Sequence, residues 1–181
     1  VSSGGVEFVS SGVALSGTVL NGGIINVLVG SGAASAGLAS ATTVSSGGIL
    51  NVSSGAFAND IVISSGGLEA VFSGASTSGA FISSGGTLEL FAPGPSVNFS
   101  YASGGIVLLG SGAVGSGLGI NSGLIAEVGA GASALGNTAT SGGIAVVLGG
   151  GFAGTTVISD GGSGVVSSGG IVSDTTIGSG G

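Results

Sequence analysis

The chain has 181 residues, of which 44 are glycine and seven are acidic, and it contains no lysine, arginine, histidine or cysteine. Without cationic side chains it cannot neutralise phosphates, which argues against nucleic acid and anionic lipid as partners. The absence of cysteine excludes thiol catalysis, disulfides and cysteine-bound zinc. No apolar run approaches the roughly 20 residues that cross a bilayer, so we expect no direct membrane insertion of this segment.

A repeat of about 19 residues runs through the chain. Its clearest copies are Ser45–Ile63 and Ser64–Ile82, which both begin with Ser-Ser-Gly-Gly and end with Ile. The other copies are Ser2–Leu20, Asn21–Val44, Ser83–Tyr101, Ala102–Ile120, Asn121–Thr140, Ser141–Ile158 and Ser159–Ile177. A fixed period of this length is typical of solenoids. We therefore expect residues 1–181 to be a single repeat region that is cut between repeats.

Each repeat contains short apolar segments separated by glycine-rich turns. Examples are Ile24–Leu28, Ile61–Ile63 and Ile144–Leu148. Glycine supplies the positive φ angles that tight turns need, and at this density it disfavours helices. The pattern predicts an all-β fold, a parallel β-helix or β-solenoid of about nine coils of ~19 residues. Coils stacked at the strand spacing would form a rod roughly 43 Å long.

Two columns of aliphatic residues are predicted to fill the interior. The eighth position of the coil gives the predicted core ladder, namely Val9, Val27, Val52, Val71, Leu90, Leu109, Val128, Val147 and Val166. The last position gives a second ladder of Leu20, Val44, Ile63, Ile82, Tyr101, Ile120, Ile158 and Ile177, which Thr140 interrupts. Such a two-ladder interior allows the remainder of each coil to be small and polar.

Two departures from the repeat are candidate sites. Residues 30–41 hold about five extra small residues, which we interpret as a loop or a neutral insertion. The segment that contains Phe91, Pro93, Pro95 and Phe99 replaces the usual Ser-Gly turn. Because proline cannot donate to a strand ladder, this corner is expected to be kinked. It could contact a partner through its aromatic rings, or it could reflect only local repacking.

The acidic residues give no sign of catalysis. They are Glu7, Asp60, Glu69, Glu89, Glu127, Asp160 and Asp174. Only Glu69 and Glu89 come from adjacent coils at nearly the same corner, and neighbouring strand positions point to opposite faces. We predict that the acids are solvated and that the chain has no catalytic, metal-binding or cofactor-binding residues. The glycines after Asp160 also lack the aspartate that calcium-binding β-roll repeats require.

The segments SSGGILNVSSGAFANDIVISSGG (Ser45–Gly67) and SGGIAVVLGGGFAGTTVISDGG (Ser141–Gly162) resemble the passenger repeats of AIDA-type self-associating autotransporter adhesins. The resemblance covers essentially the entire chain. It implies a right-handed β-helix that is secreted across the outer membrane and displayed on a Gram-negative cell as part of a longer passenger. It also implies roles in adherence, cell-to-cell aggregation and biofilm formation, and, in some members, heptose attached to serines of such repeats.

The leading hypothesis is therefore a non-enzymatic, extracellular structural adhesin whose partners are other copies of itself and surface glycans or proteins of host or bacterium. Many weak lateral hydrogen bonds from hydroxyl and amide side chains suit this role. The alternative is a subunit of an extracellular filament or matrix fibre, in which coils stack end to end because uncapped strands are templates for addition. A carbohydrate-active enzyme would need a carboxylate cluster on further coils.

Overall fold

The computed structural model describes residues 1, 4–10, 14–19, 22–29, 36–91 and 96–181. The predicted all-β parallel solenoid is confirmed, since these residues form 23 short strands and the pairs between coils are parallel. They divide into two compact units. Unit 1 comprises Val1–Glu89 and Pro95–Tyr101, and unit 2 comprises Leu90–Gly94 and Ala102–Gly181. No described segment is a helix long and apolar enough to cross a membrane.

Unit 1 is built from the first eleven strands. The one exception is Leu90, the last residue of β10, which belongs to unit 2. The strands are β1 (Val6–Val9), β2 (Ala14–Val19), β3 (Ile24–Val27), β4 (Leu38–Val44), β5 (Ile49–Val52), β6 (Phe57–Asn59), β7 (Val62–Ile63), β8 (Leu68–Val71), β9 (Ser76–Ile82), β10 (Thr87–Leu90) and β11 (Ser96–Tyr101). One sheet has the order β1-β3-β5-β8-β10. The other has the order β2-β4-β6-β9-β11, with β7 paired to β4 and β9.

Unit 2 repeats the same coil, with three strands in each of its coils. The strands are β12 (Ile106–Leu109), β13 (Val114–Ser116), β14 (Gly119–Ile120), β15 (Ile125–Val128), β16 (Ser133–Leu135), β17 (Thr138–Ala139), β18 (Ile144–Val147), β19 (Phe152–Gly154), β20 (Val157–Ile158), β21 (Ser163–Val166), β22 (Ile171–Ser173) and β23 (Thr176–Ile177). They form three sheets, β12-β15-β18-β21, β13-β16-β19-β22 and β14-β17-β20-β23.

The register stacks equivalent positions of successive coils on one another. In unit 1, Val52 pairs with Val27 on one side and with Val71 on the other. In unit 2, Val147 pairs with Val128 and with Val166. Since side chains alternate between the two faces of a strand, these columns place aliphatic side chains inside the coil at every level.

The structure places most residues of the predicted core ladder in the interior. Val9, Val27, Val52, Val71, Leu109, Val128 and Val147 are buried, and Leu90 is partly buried against the core of unit 2. Val166 differs, because it is 50% exposed. Its partner Val147 covers one side only, and no described residue pairs with it on the other.

The second ladder differs from the prediction at more than one position, and its last residue, Ile177, is 69% exposed. Ala139, and not Thr140, pairs with Ile158 and is buried, so the column continues through an alanine and is not interrupted. Thr140 instead forms the first residue of the following turn, where its carbonyl accepts a hydrogen bond from the Gly143 amide at 2.8 Å. Leu20 lies outside the described residues, and Val19 occupies its expected place opposite Val44.

The extra residues of the second repeat begin and end at an antiparallel bridge between Val29 and Ala36. Residues 30–35 lie outside the described residues. The register puts the extra residues predicted within residues 30–41 before Leu38, where β4 begins, and Ala39 is buried. The chain therefore returns to the common coil within a few residues of the insertion.

We expect the core to depend on the last aliphatic position of each coil. Ile63 is fully buried, so Ile63→Ala should destabilise unit 1 by about 2–5 kcal/mol because it leaves a cavity. The adjacent Val62 is 37% exposed, and Val62→Ala is the matched control, expected to cost much less. Urea unfolding followed by circular dichroism measures both variants. Equal losses of stability would contradict the assignment of Ile63 to the core.

Because neighbouring coils approach closely, we expect alanine substitutions at two glycines of unit 2 to have different effects on stability. A methyl group at Gly129 would lie 2.8 Å from the backbone oxygen of Leu109, closer than packed atoms approach. Gly129→Ala should therefore cost about 1–3 kcal/mol through overpacking. A methyl group at Gly119 would lie 3.6 Å from its nearest neighbour, the side-chain nitrogen Nδ2 of Asn121. Gly119→Ala should be neutral or slightly stabilising, and a result in the opposite order in urea unfolding would refute the register.

Candidate functional site

The serine-glycine turns present the most regular polar surface of unit 1. In the turn Ser45–Gly48, the Gly48 amide donates to the Ser45 carbonyl at 2.7 Å. The third residue of each such turn has positive φ, 71° at Gly47 and 72° at Gly66, which glycine adopts without strain. The second residue consequently projects outward. These second residues, Ser46, Ser65 and Ser84, are exposed and form what we call the serine column of unit 1.

Successive turns are joined by backbone hydrogen bonds. The Gly47 amide donates to the Gly66 carbonyl, and the Gly66 amide donates to the Gly85 carbonyl, both at 2.8 Å. Each serine hydroxyl lies beside the glycine of the next coil, because a side chain at Gly85 would meet Ser65 Oγ at 2.8 Å. The glycine therefore both makes the turn and leaves room for the serine above it. The column repeats at about the strand spacing of 4.8 Å.

Unit 2 carries a corresponding serine column. Its members are Ser103, Ser122 and Ser141, all exposed, and Asp160 takes the equivalent place in the next coil. At the second turn of the coil the polar column is less regular. Ser54 and Ser73 occupy it in unit 1, and Ala130 and Gly149 interrupt it in unit 2.

An amide pair lies on the outer face of the first sheet of unit 1. Asn51 Nδ2 donates to Asn26 Oδ1 at 2.9 Å, and both side chains are half-buried. The two residues are 25 positions apart because the second repeat is longer than the others. This stacking matches the expectation that amide side chains face outward. The hydrogen bond occupies one donor of Asn51 and the acceptor oxygen of Asn26, so fewer groups are left to bind a partner.

The structure describes only part of the predicted aromatic corner. Pro93 and Pro95 lie outside the described residues, whereas Phe91 and Phe99 are half-buried. The rings of Phe99 and Tyr101 are packed together, with centroids 6.2 Å apart and planes tilted by 43°. Phe99 therefore contributes to local packing, and its use as a partner contact stays a prediction.

Of the seven acids, three are exposed, three are half-buried and one is fully buried. Asp60, Asp160 and Asp174 are exposed at turns where φ is 49–53°, a conformation that aspartate tolerates better than most residues. Glu69 contradicts the prediction of solvated acids, because its side chain is fully buried on β8 opposite Leu50. Strand alternation puts Glu69 on the same face as Val71, which is why it points inward.

The burial of the acids changes their pKa values. Desolvation raises the pKa of Glu69 to about 7, although the hydrogen bond from Thr77 opposes the shift. Desolvation also raises the pKa of Glu89, which lies on β10 and is half-buried. Within the described ranges, no three acidic side chains come together in a way that could hold a metal ion.

Comparison with known proteins gives matches to a protein family and to solved structures. Residues 31–86 match the AIDA family, described as an adhesin of the bacterial autotransporter system, probable stalk. The fold is similar to the crystal structure of a TibC-catalysed, hyper-glycosylated fragment of TibA, with a TM-score of 0.67 and 28% sequence identity. That similarity covers 98% of this chain and 75% of the TibA chain. A search of the curated proteins gives no match.

Proposed function

We propose that this chain, which is similar to the stalks of AIDA-type autotransporter adhesins, is a rigid, non-enzymatic β-helical stalk. The proposed function of the stalk is adherence and cell-to-cell self-association, as in biofilms. As a stalk of this kind it is an extracellular segment displayed at the bacterial surface. Its proposed partners are other copies of itself and surface glycans or proteins of host or bacterium.

The observation that carries the proposal is the repetition of one turn in successive described coils of each unit. The serine columns present the same hydroxyl groups at about 4.8 Å intervals, so a partner with the same repeat can bind along the whole column. Each hydrogen bond contributes little, about 0.5–1.5 kcal/mol, but many of them add along a long surface. This combination gives an association that is strong over its length and reversible at each contact.

A non-enzymatic role is supported by the placement of the acids. The exposed aspartates of unit 2, Asp160 and Asp174, lie at two different turns of the coil. Glu69 is enclosed in the core of unit 1, where a substrate cannot reach it. Glycoside hydrolysis needs two carboxyl groups flanking one bond, a role that the enclosed Glu69 cannot share with another acid.

Lateral self-association predicts that added charge on one face reduces cell clumping. The double variant Ser46→Glu and Ser65→Glu adds two negative charges to a chain that already carries a formal charge of −7, so two facing copies would repel each other. We expect cells that display this variant to settle several-fold more slowly than cells that display the unaltered chain.

The control is the double variant Ser54→Glu and Ser73→Glu, which adds the same charge at the other turn of neighbouring coils. We expect it to have a smaller effect, because that column is interrupted in unit 2. If clumping is unchanged whichever turn is altered, lateral association through the turns is wrong.

The exposed serines are also proposed as sites of glycosylation, because the similar TibA fragment is described as hyper-glycosylated. Co-expression with a TibC-type glycosyltransferase and intact-mass measurement would test this. Ser65→Ala should remove one sugar mass, since Ser65 is exposed at the second position of its turn. The neighbouring Ser64 is half-buried at the first position, and Ser64→Ala should leave the mass shift unchanged. An unmodified chain, or equal loss in both variants, would contradict the assignment.

We also propose a second candidate, a subunit of an extracellular filament, because coils whose strands pair in parallel with those of the next coil can be extended by the strands of another copy. Electron microscopy separates the two candidates, since threads much longer than one chain support the filament, and separate or laterally paired particles support the adhesin.

A further inference from the structure

Glu69 is the buried group that the proposed function does not use. Its side chain is 0% exposed on β8, in register with Leu50 of β5. Oε1 accepts a hydrogen bond from the Thr77 hydroxyl of β9 at 2.8 Å. Oε2 is buried and has no hydrogen-bond partner among the described residues. The carboxyl group therefore sits in the core of unit 1 with only one of its two oxygens satisfied.

The surroundings of Glu69 offer no compensating charge. Leu50 on β5 and Leu88 on β10, the strands that flank β8 in the sheet, are fully buried. Two other titratable groups lie on the elements packed around it. Asp60 is exposed at the turn between β6 and β7, and Glu89 follows Leu88 on β10 and so points to the outer face. Both are carboxyl groups and cannot supply a positive charge, so neither could pair with an ionised Glu69.

The sequence contains no cationic side chain that could pair with a buried carboxylate. Buried charges are normally paired with a cation, but this chain has no lysine, arginine or histidine side chain. An ionised Glu69 would therefore remain unpaired in the core, whereas the protonated carboxylic acid is neutral and its lone unsatisfied oxygen costs far less. Thr77 can donate to either form, so it does not remove the preference.

We propose that Glu69 is a proton-dependent lock on the coils of unit 1. When Glu69 is protonated, its side chain packs as a neutral group between Leu50 and Leu88, and the coils around it stay closed. When Glu69 ionises, the unpaired charge weakens this packing and the same coils open more readily. This regulation is separate from the adhesive function, because it concerns the interior of unit 1 and not its outer columns.

The direction of the pH effect follows from proton linkage. Burial raises the pKa of Glu69 from 4.5 to about 7 in the folded chain, and the unfolded chain keeps the ordinary value. The folded state thus binds more protons than the unfolded state between these two values. The stability from this group is fully present below pH 4.5, decreases as the pH rises towards 7, and stays low above it. Glu89, whose pKa is also raised, acts in the same direction.

Hydrogen exchange and urea unfolding of the full chain at pH 4.5 to 8 test the proposal. Over this range the opening equilibrium constant of β5 and β8, corrected for the intrinsic exchange rate, should rise about 100-fold or more. The strands of unit 2 should not show this rise. An equal rise in unit 2, or none in unit 1, would overturn the proposal.

Variants of Glu69 separate its effect from that of the other acids. Glu69→Gln keeps the shape and removes the titration, and Glu69→Leu matches the flanking leucines and also removes the unsatisfied oxygen. Both should lose most of the pH dependence in unit 1, and Glu69→Leu should unfold at a higher urea concentration than the unaltered chain at pH 8. Glu127→Gln, on β15 of unit 2, is the matched control and should keep the pH dependence of unit 1.

Thr77→Val gives a readout that a simple packing role would not produce. The Thr77 hydrogen bond lowers the pKa of Glu69, so its removal should shift the loss of stability to higher pH. If Glu69→Gln, Glu69→Leu and the unaltered chain show the same pH dependence, Glu69 is not the lock.

Discussion

Parallel backbone pairing between successive coils is the constraint on which the rest of the structure depends. Strands pair with their equivalents in the neighbouring coil, and so do the turns, as the hydrogen bond from the Gly66 amide to the Gly85 carbonyl shows. A side chain at any position is therefore stacked on its equivalents at about 4.8 Å. Branched aliphatic residues satisfy this requirement inside the coil, and glycine satisfies it at corners with positive φ. Such corners account for part of the glycine content, since 19 of the 44 glycines have positive φ in the described residues.

The interior could be predicted largely from the period, because alternation along a strand fixes which residues face inward once one of them is known. Val52 and Val147 are found in equivalent columns for this reason. The prediction is wrong at Thr140, because alanine and threonine are both small and the repeat contains no feature that favours Ala139. The structure decides through backbone register, which pairs Ala139 with Ile158. The exposure of Val166 was also unpredictable, since burial depends on neighbours on both sides and not on the residue itself.

The outer surface was predictable only in its general character. The composition indicates that hydroxyl and amide groups face outward, but the choice among serines depends on turn geometry. Positive φ at Gly66 directs Ser65 outward, whereas Ser64 at the preceding position is half-buried. The pairing of Asn26 with Asn51 depends on the longer second repeat and could not be read from a 19-residue period. Only 28% identity accompanies the similarity to the TibA fragment over nearly the whole chain. The fold therefore depends on the pattern of turns and ladders more than on particular residues.

At Glu69 the charge of the residue and its position in the strand lead to opposite predictions. Its charge indicates an outward position, whereas its spacing from Val71 indicates an inward one, and the structure follows the spacing. Turning one side chain outward would require a shift of the strand by one residue, which would expose every core residue of β8 at once. Burying a single carboxyl group costs less, provided that it can be protonated and that Thr77 supplies one hydrogen bond. The chain has no cationic side chain to offer it. The absence of cationic side chains thus makes the interior of unit 1 dependent on protons from the surrounding medium.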